Sequence, residues 1–200
     1  MIMETSSGRS DLHIPTLSLA VVLVSATLAL VVGLVAEKGQ RDGMYLWAAG
    51  LWAHTLAYSL FGLRGLVDDG LSVVLANTLL SAALALLSES LCEFHACRPR
   101  RLLLWLPVAL TFMAFALLVH TLPARMIVGP LIFAAQIVML LSIQARARSK
   151  TVGRGKHFVC VAMAALLPLL AMRVVAAVQR EDALADFAAP SLVLALTFMI

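Results

Sequence analysis

Charge is scarce in this chain. Only 13% of its 200 residues are Asp, Glu, Lys or Arg, about half the ~25% of a soluble globular protein. So few polar groups cannot cover a water-facing surface, which excludes an ordinary soluble domain and a disordered chain. Cysteine is scarce as well. Cys92, Cys97 and Cys160 are the whole complement, and a small odd number gives no disulfide framework. A basic leader is missing too. Residues 1–13 carry Glu4, Arg9 and Asp11, and the apolar run behind them is too long for the ~7–15 residue core of a signal peptide. That run is expected to stay in the membrane. Finally, the chain has no phosphate-binding loop, no nucleophile–base pair at useful spacing and no metal-protease motif, so no catalytic residue is assigned.

Apolar residues are what the chain has. They make up 62% of it, against about 45–50% in soluble chains, and the mean hydropathy is +0.98. This composition predicts an all-α polytopic membrane bundle forming one domain over residues 1–200. Seven apolar runs recur: Ile14–Ala36, Met44–Leu63, Leu71–Leu91, Leu102–Val119, Met126–Ala145, Phe158–Val178 and Ala188–Ile200. The first six have roughly the length that crosses a ~30 Å hydrocarbon core at 1.5 Å per residue. Lipid offers the backbone no polar partner, so the runs must be helices. Barrel strands would be about half as long and would alternate. The seventh run has 13 residues and reaches only ~20 Å. Six full spans and a truncated seventh are therefore expected, the chain being a fragment with a cytosolic output domain after residue 200.

The net charge of +4 comes from 15 basic and 11 acidic residues. The basic ones sit between apolar runs, where they read as topology signals rather than a nucleic-acid patch. Lys38 and Arg41, then Arg98, Arg100 and Arg101, then Arg146, Arg148, Lys150, Arg154 and Lys156 put ten on one side. Arg9, Arg64, Arg125 and Arg180 put four on the other, with Arg173 inside the sixth run. The positive-inside rule then places the N-terminus outside. Membrane lipids are the expected partners, with the basic loop Arg146–Lys156 against anionic headgroups. The loops are too short to hold an extracellular domain, so any ligand is expected within the bundle or at its outer rim.

Polar groups inside the runs are the candidate functional residues, because burying them is costly. In the second run Trp47, Gly50, His54, Tyr58, Phe61 and Arg64 recur at spacings of 3 and 4, which makes one helical stripe. It is either a helix–helix seam or a ligand- or proton-sensing face. Asn77, Ser81 and Ser88 share a face of the third run, a pattern that also suits plain helix packing. Arg173 follows the mid-span Pro168. It either snorkels to the interface or joins Arg64 in an anion site, with Asp68, Asp69, Glu181, Asp182 or a backbone carbonyl freed by Pro168 as alternative partners. The candidate ligand-binding set is His54, Tyr58, Arg64, Asn77 and Arg173.

Glu89, Cys92, Glu93, His95 and Cys97 cluster at the end of the third run. Their spacing matches no zinc pattern, so they are read as a solvated helix end and no metal is assigned. Gln136, Gln144 and His120 read as interhelical bonds or interface anchors. Gly129-Pro130 is expected at a helix start, where proline is tolerated.

The stretch from the second into the fourth run reads Trp47-Ala-Ala-Gly50, Leu63-Arg64-Gly65, Asp69-Gly-Leu-Ser72, Ala76-Asn77, Phe94 and the basic turn Arg98-Pro-Arg-Arg101. It resembles the N-terminal membrane-sensor half of bacterial GGDEF-type diguanylate cyclases. The resemblance implies an inner-membrane module that controls a cytosolic cyclase making cyclic di-GMP. It implies a homodimer, with GTP and magnesium belonging to the output domain and no cofactor in this region. The GGDEF signature is not among these residues, so the resemblance places catalysis on none of them. A small multi-pass transporter is the alternative function. A membrane enzyme or assembly factor, resting on Glu89, Glu93 and His95, is a third.

Overall fold

A computed structural model describes residues 13–36, 42–63, 66–98, 100–146 and 155–179, excepting the side chains of 13–17, 69, 155 and 156. Among them the chain forms six α-helices and no sheet: α1 His13–Val35, α2 Met44–Gly62, α3 Asp69–Phe94, α4 Arg101–Leu117, α5 Leu122–Arg146 and α6 Gly155–Gln179. The expected all-α class is observed. The connection over residues 118–121 turns α5 back beside α4. α3 is central and packs on α2, α4 and α5, while α1 packs on α2 and α6 on α5.

Four helices are long and apolar enough to cross a membrane: α1, α3, α5 and α6. The expected six full spans are thus met in four cases. α4 has 17 residues, about 25 Å of helix, short of a ~30 Å core. α2 has 19 residues, but His54, Trp47, Trp52 and Tyr58 lower its hydropathy. The seventh run lies outside the described residues.

Helix starts follow local chemistry. Gly43, with φ 76°, precedes α2, and Asp42 accepts from the Met44 amide at 3.0 Å. Asp68 caps α3 by accepting from the Leu71 amide at 2.9 Å, so its carboxylate is committed to the helix start. α5 begins at Leu122, earlier than the apolar run suggests, with the Arg125 amide donating to the Thr121 carbonyl at 3.2 Å. Pro130 therefore lies in the helix interior, which corrects the expectation of a helix start. Interior prolines also occur in α4 at Pro107 and in α6 at Pro168. Each removes one backbone bond from its helix.

The interior is built on Ala57 and Tyr58 of α2, Leu80 of α3, Phe133 and Ile137 of α5, and Leu170 of α6. α2 and α3 approach closely through small residues. A Cβ at Gly50 would stand 3.3 Å from the Ala83 carbonyl oxygen. Small residues let backbones meet where no hydrophobic effect drives helices together. A reciprocal pair fastens α3 to α5: Ser81 Oγ donates to Gln136 Oε1 and Gln136 Nε2 donates to the Ser81 carbonyl, both at 3.0 Å. The outer surface is apolar, with Leu19, Leu23, Leu34, Leu102, Leu117 and Phe158 all exposed. Water would oppose so much exposed apolar surface, whereas lipid accepts it.

Candidate functional site: a cavity along the bundle

A cavity of about 530 Å³ runs among all six helices. That volume lies within the ~300–1,000 Å³ range of small-ligand pockets. Its wall is mostly leucine, methionine, phenylalanine and small residues. Ser25, His54, Asn77, Arg125 and Arg173 supply the polar groups, with Trp47 near one end. Among the described lining residues there is no aspartate or glutamate.

The periodic stripe of α2 is what brings this face inward. His54 reaches α1, where its Nδ1 shares a 3.0 Å hydrogen bond with Ser25 Oγ. Its ring lies 4.7 Å from that of Tyr58, and Tyr58 meets Phe61 edge-on at 5.9 Å. Trp47, Gly50, His54 and Phe61 all line the cavity, while Tyr45, Trp52 and Leu56 point outward. Asn77 lines the wall from α3, its amide donating to the Val73 carbonyl at 2.8 Å. Arg173 lines it from α6.

Three of the five expected ligand residues, His54, Asn77 and Arg173, therefore share one wall. Tyr58 is 1% exposed and belongs to the packed core beside the cavity. Arg64 lies outside the described residues, as does the side chain of Asp69. Arg125 is the residue that sequence reasoning missed. Its place at the edge of an apolar run reads as a loop charge, yet it sits in the first turn of α5 and lines the cavity. Thr121 followed by Leu122 and Pro123 was the available signal, since proline is favoured in a first helical turn.

The acidic end of α3 also departs from expectation. Glu89 is not solvated: its side chain is 10% exposed. It accepts from Trp105 Nε1 at 3.1 Å and stands 3.5 Å from Arg101 Nε. Ser88, Ser90 and Cys92 are buried beside it, and His95 Nε2 donates to Gln144 Oε1 at 2.9 Å. The neighbouring starts of α2 and α4 cover this end, which the spacing within α3 cannot reveal. Among the described residues no group of three His, Cys, Asp or Glu side chains could hold a metal ion. Gln136 and Gln144 make the interhelical bonds expected of them, and His120 is exposed.

The Tyr58 hydroxyl is buried, and no hydrogen-bond partner reaches it among the described residues. Burying such a group unpaired costs about 1–3 kcal/mol. Tyr58→Phe is thus expected to leave stability unchanged or raise it by about 1 kcal/mol. Thermal unfolding in detergent checks this. A fall of more than about 1 kcal/mol would mean that the hydroxyl has a structural partner.

No protein-family model matches the sequence, and neither does any curated protein or solved structure.

Proposed function

We propose that this helical bundle is a membrane sensor module that biases a cytosolic output domain, resembling the sensor half of diguanylate cyclases. The observation that supports it is the cavity. Most of its wall comes from α2, α3, α5 and α6, with Ser25 of α1 and Phe115 of α4 completing it, so a molecule inside lies between several packing partners. Such a ligand shifts the balance between two helix arrangements by its differential affinity for them. In this reading six helices span a bacterial inner membrane, α2 and α4 being completed as spans by packing against α3. The N-terminus is outside, and a seventh helix carries the bias to a homodimeric cytosolic domain. Polar groups deep in the helices, with His54 tied to Ser25 across α1 and α2, are the elements that respond.

The coding sequence beyond Ile200, and the activity of the complete reading frame, test this. A GGDEF-type domain in frame, with cellular cyclic di-GMP rising on expression, is the expected result. A stop codon within a few residues would overturn the cyclase reading.

A second reading, a small transporter, is favoured by the interior prolines of α4, α5 and α6. Discontinuous helices around a mid-membrane site are a transporter feature; here each of the three helices runs continuously through its proline, which weakens its backbone ladder at one point. Uptake of a labelled solute by proteoliposomes containing the chain would favour it over the sensor.

A further inference from the structure

The end of α3 closes in a strained way. The Ala96 amide donates to the Glu93 carbonyl at 3.0 Å, and the Cys97 amide to the Cys92 carbonyl at 2.8 Å. Those two bonds define a Schellman helix end, whose penultimate residue is left-handed and usually glycine. Here that residue is Ala96, with φ 51°. No other non-glycine residue among the described ones has a positive φ. A Cβ is strained in that region, and such strain persists only where the surroundings hold it, often at functional sites. The motif also tends to bring together the side chains at the two ends of its longer bond, which are ordinarily apolar. In this chain they are Cys92 and Cys97.

Standard bond lengths on either side of the 2.8 Å hydrogen bond keep the two α-carbons within about 7 Å, the most that a disulfide spans. The two side chains interact directly, so they point toward each other. Cys92 is 4% exposed, whereas Cys97 is exposed. One thiol is open to a reagent and the other lies beneath it. We infer that Cys92 and Cys97 are a redox modification site, which a peroxide converts to a disulfide that closes the end of α3. The Cys97 sulfur attacks one peroxide oxygen, giving a sulfenic acid and releasing water. The Cys92 sulfur then attacks the Cys97 sulfur, the S–O bond breaks, and a second water leaves with the Cys92 proton. Two thiols lose two hydrogens in all, and one peroxide becomes two waters. A small dithiol returns the pair to thiols and leaves as its own disulfide. The site stands where α3 is fastened to its neighbours. Ser90 bonds Gly43 before α2, Glu89 accepts from Trp105 of α4, and His95 bonds Gln144 of α5. A covalent link beside these bonds bears on all three contacts. In the orientation proposed above this end faces the cytosol, where disulfides are transient and redox-sensing. The inference goes beyond the sensor reading and needs neither a cavity ligand nor an output domain.

The test uses the 200-residue chain, reduced and purified in mild detergent, with hydrogen peroxide as the probe. Free thiols are counted by alkylation in sodium dodecyl sulfate, so that burial does not hide Cys92. The reduced chain carries three thiols, and a modest excess of peroxide is expected to leave one, at Cys160. The peptide holding Cys92 and Cys97 is expected to lose two hydrogens and to regain them with dithiothreitol. Equilibration in glutathione buffers then gives the effective concentration of one thiol beside the other. Ala96→Pro locks φ near about −65° and removes the amide that bonds Glu93, so it is expected to lower that concentration at least about tenfold. An unchanged value in a folded Ala96→Pro chain would overturn the inference, because the helix end would not be what holds the pair. Ala96→Gly suits the left-handed position and is expected to stay within about threefold of the parent. It keeps the test open if the proline variant misfolds, and a fall of about tenfold there would be equally damaging. Cys97 driven to sulfinic acid while Cys92 still alkylates would sink the pair. A disulfide to Cys160, or between two chains, would do the same.

Discussion

Gly43→Val is expected to destabilise the bundle by about 3–5 kcal/mol, a large effect for one substitution at a helix boundary. Gly43 has φ 76°, in the left-handed region. A non-glycine residue there costs about 1–3 kcal/mol, and a β-branched one is a genuine outlier. Space is missing as well. A Cβ would run into the backbone carbonyl oxygen of Ser90 and stand 2.9 Å from Ser90 Oγ. Ser90 is 2% exposed and lies within α3, so its backbone cannot yield without disturbing that helix. The same approach allows Ser90 Oγ to donate to the Gly43 carbonyl at 2.8 Å, a bond worth about 1 kcal/mol that the displaced turn would lose. Unfolding in mild detergent, followed by circular dichroism, measures the loss. Two companions separate its causes. Ser90→Ala removes only the hydrogen bond and is expected to cost about 1 kcal/mol. Gly43→Ala keeps most of the penalty, and adding Ser90→Ala is expected not to rescue it, because the main obstacle is backbone. A Gly43→Ala chain within about 0.5 kcal/mol of the parent would refute this account.

Much of the architecture was legible because lipid simplifies the problem. Long apolar runs must be helices, and the run from Met44 coincides with the start of α2. The α2 stripe was legible for the same reason: a 3.6-residue period put Trp47, Gly50, His54 and Phe61 on one face, and that face lines the cavity. The residues that made α2 a functional candidate are also those that keep it below the hydropathy of a spanning helix. Composition alone therefore pulls in two directions there. Arg125 was hidden by the opposite bias. A charge at the edge of an apolar run looks like loop, and only the Thr121–Pro123 turn marks the earlier helix start. Glu89 was illegible from α3 alone. Its burial depends on Trp105 and Arg101, across the turn that begins α4, and on α2 covering the same end. No local spacing encodes such a long-range cover.

Trp105→Phe is expected to cost about 1.5–3 kcal/mol, and Arg101→Ala less than about 1 kcal/mol. Both side chains meet the same Glu89 oxygen, yet their settings differ. Arg101 is 77% exposed at its side chain and stands 3.5 Å from the carboxylate. Solvent screens that pair, and exposed pairs of this kind contribute about 0–1 kcal/mol. Trp105 donates from 3.1 Å to a carboxylate that is itself buried. Removing the indole N–H leaves that carboxylate short of a donor where water cannot easily replace it, and bonds to a charged group contribute about 1.5–3 kcal/mol. Phenylalanine keeps most of the ring, so the loss reports the donor rather than the packing. Glu89→Gln is expected to cost less than Trp105→Phe, because its amide oxygen still accepts from the indole. The ranking Trp105→Phe, then Glu89→Gln, then Arg101→Ala is the decisive readout in thermal unfolding. If Arg101→Ala proved the most damaging, the buried carboxylate would depend on the arginine, and the α3–α4 end would be held by an ion pair rather than by a hydrogen bond from a partly buried indole.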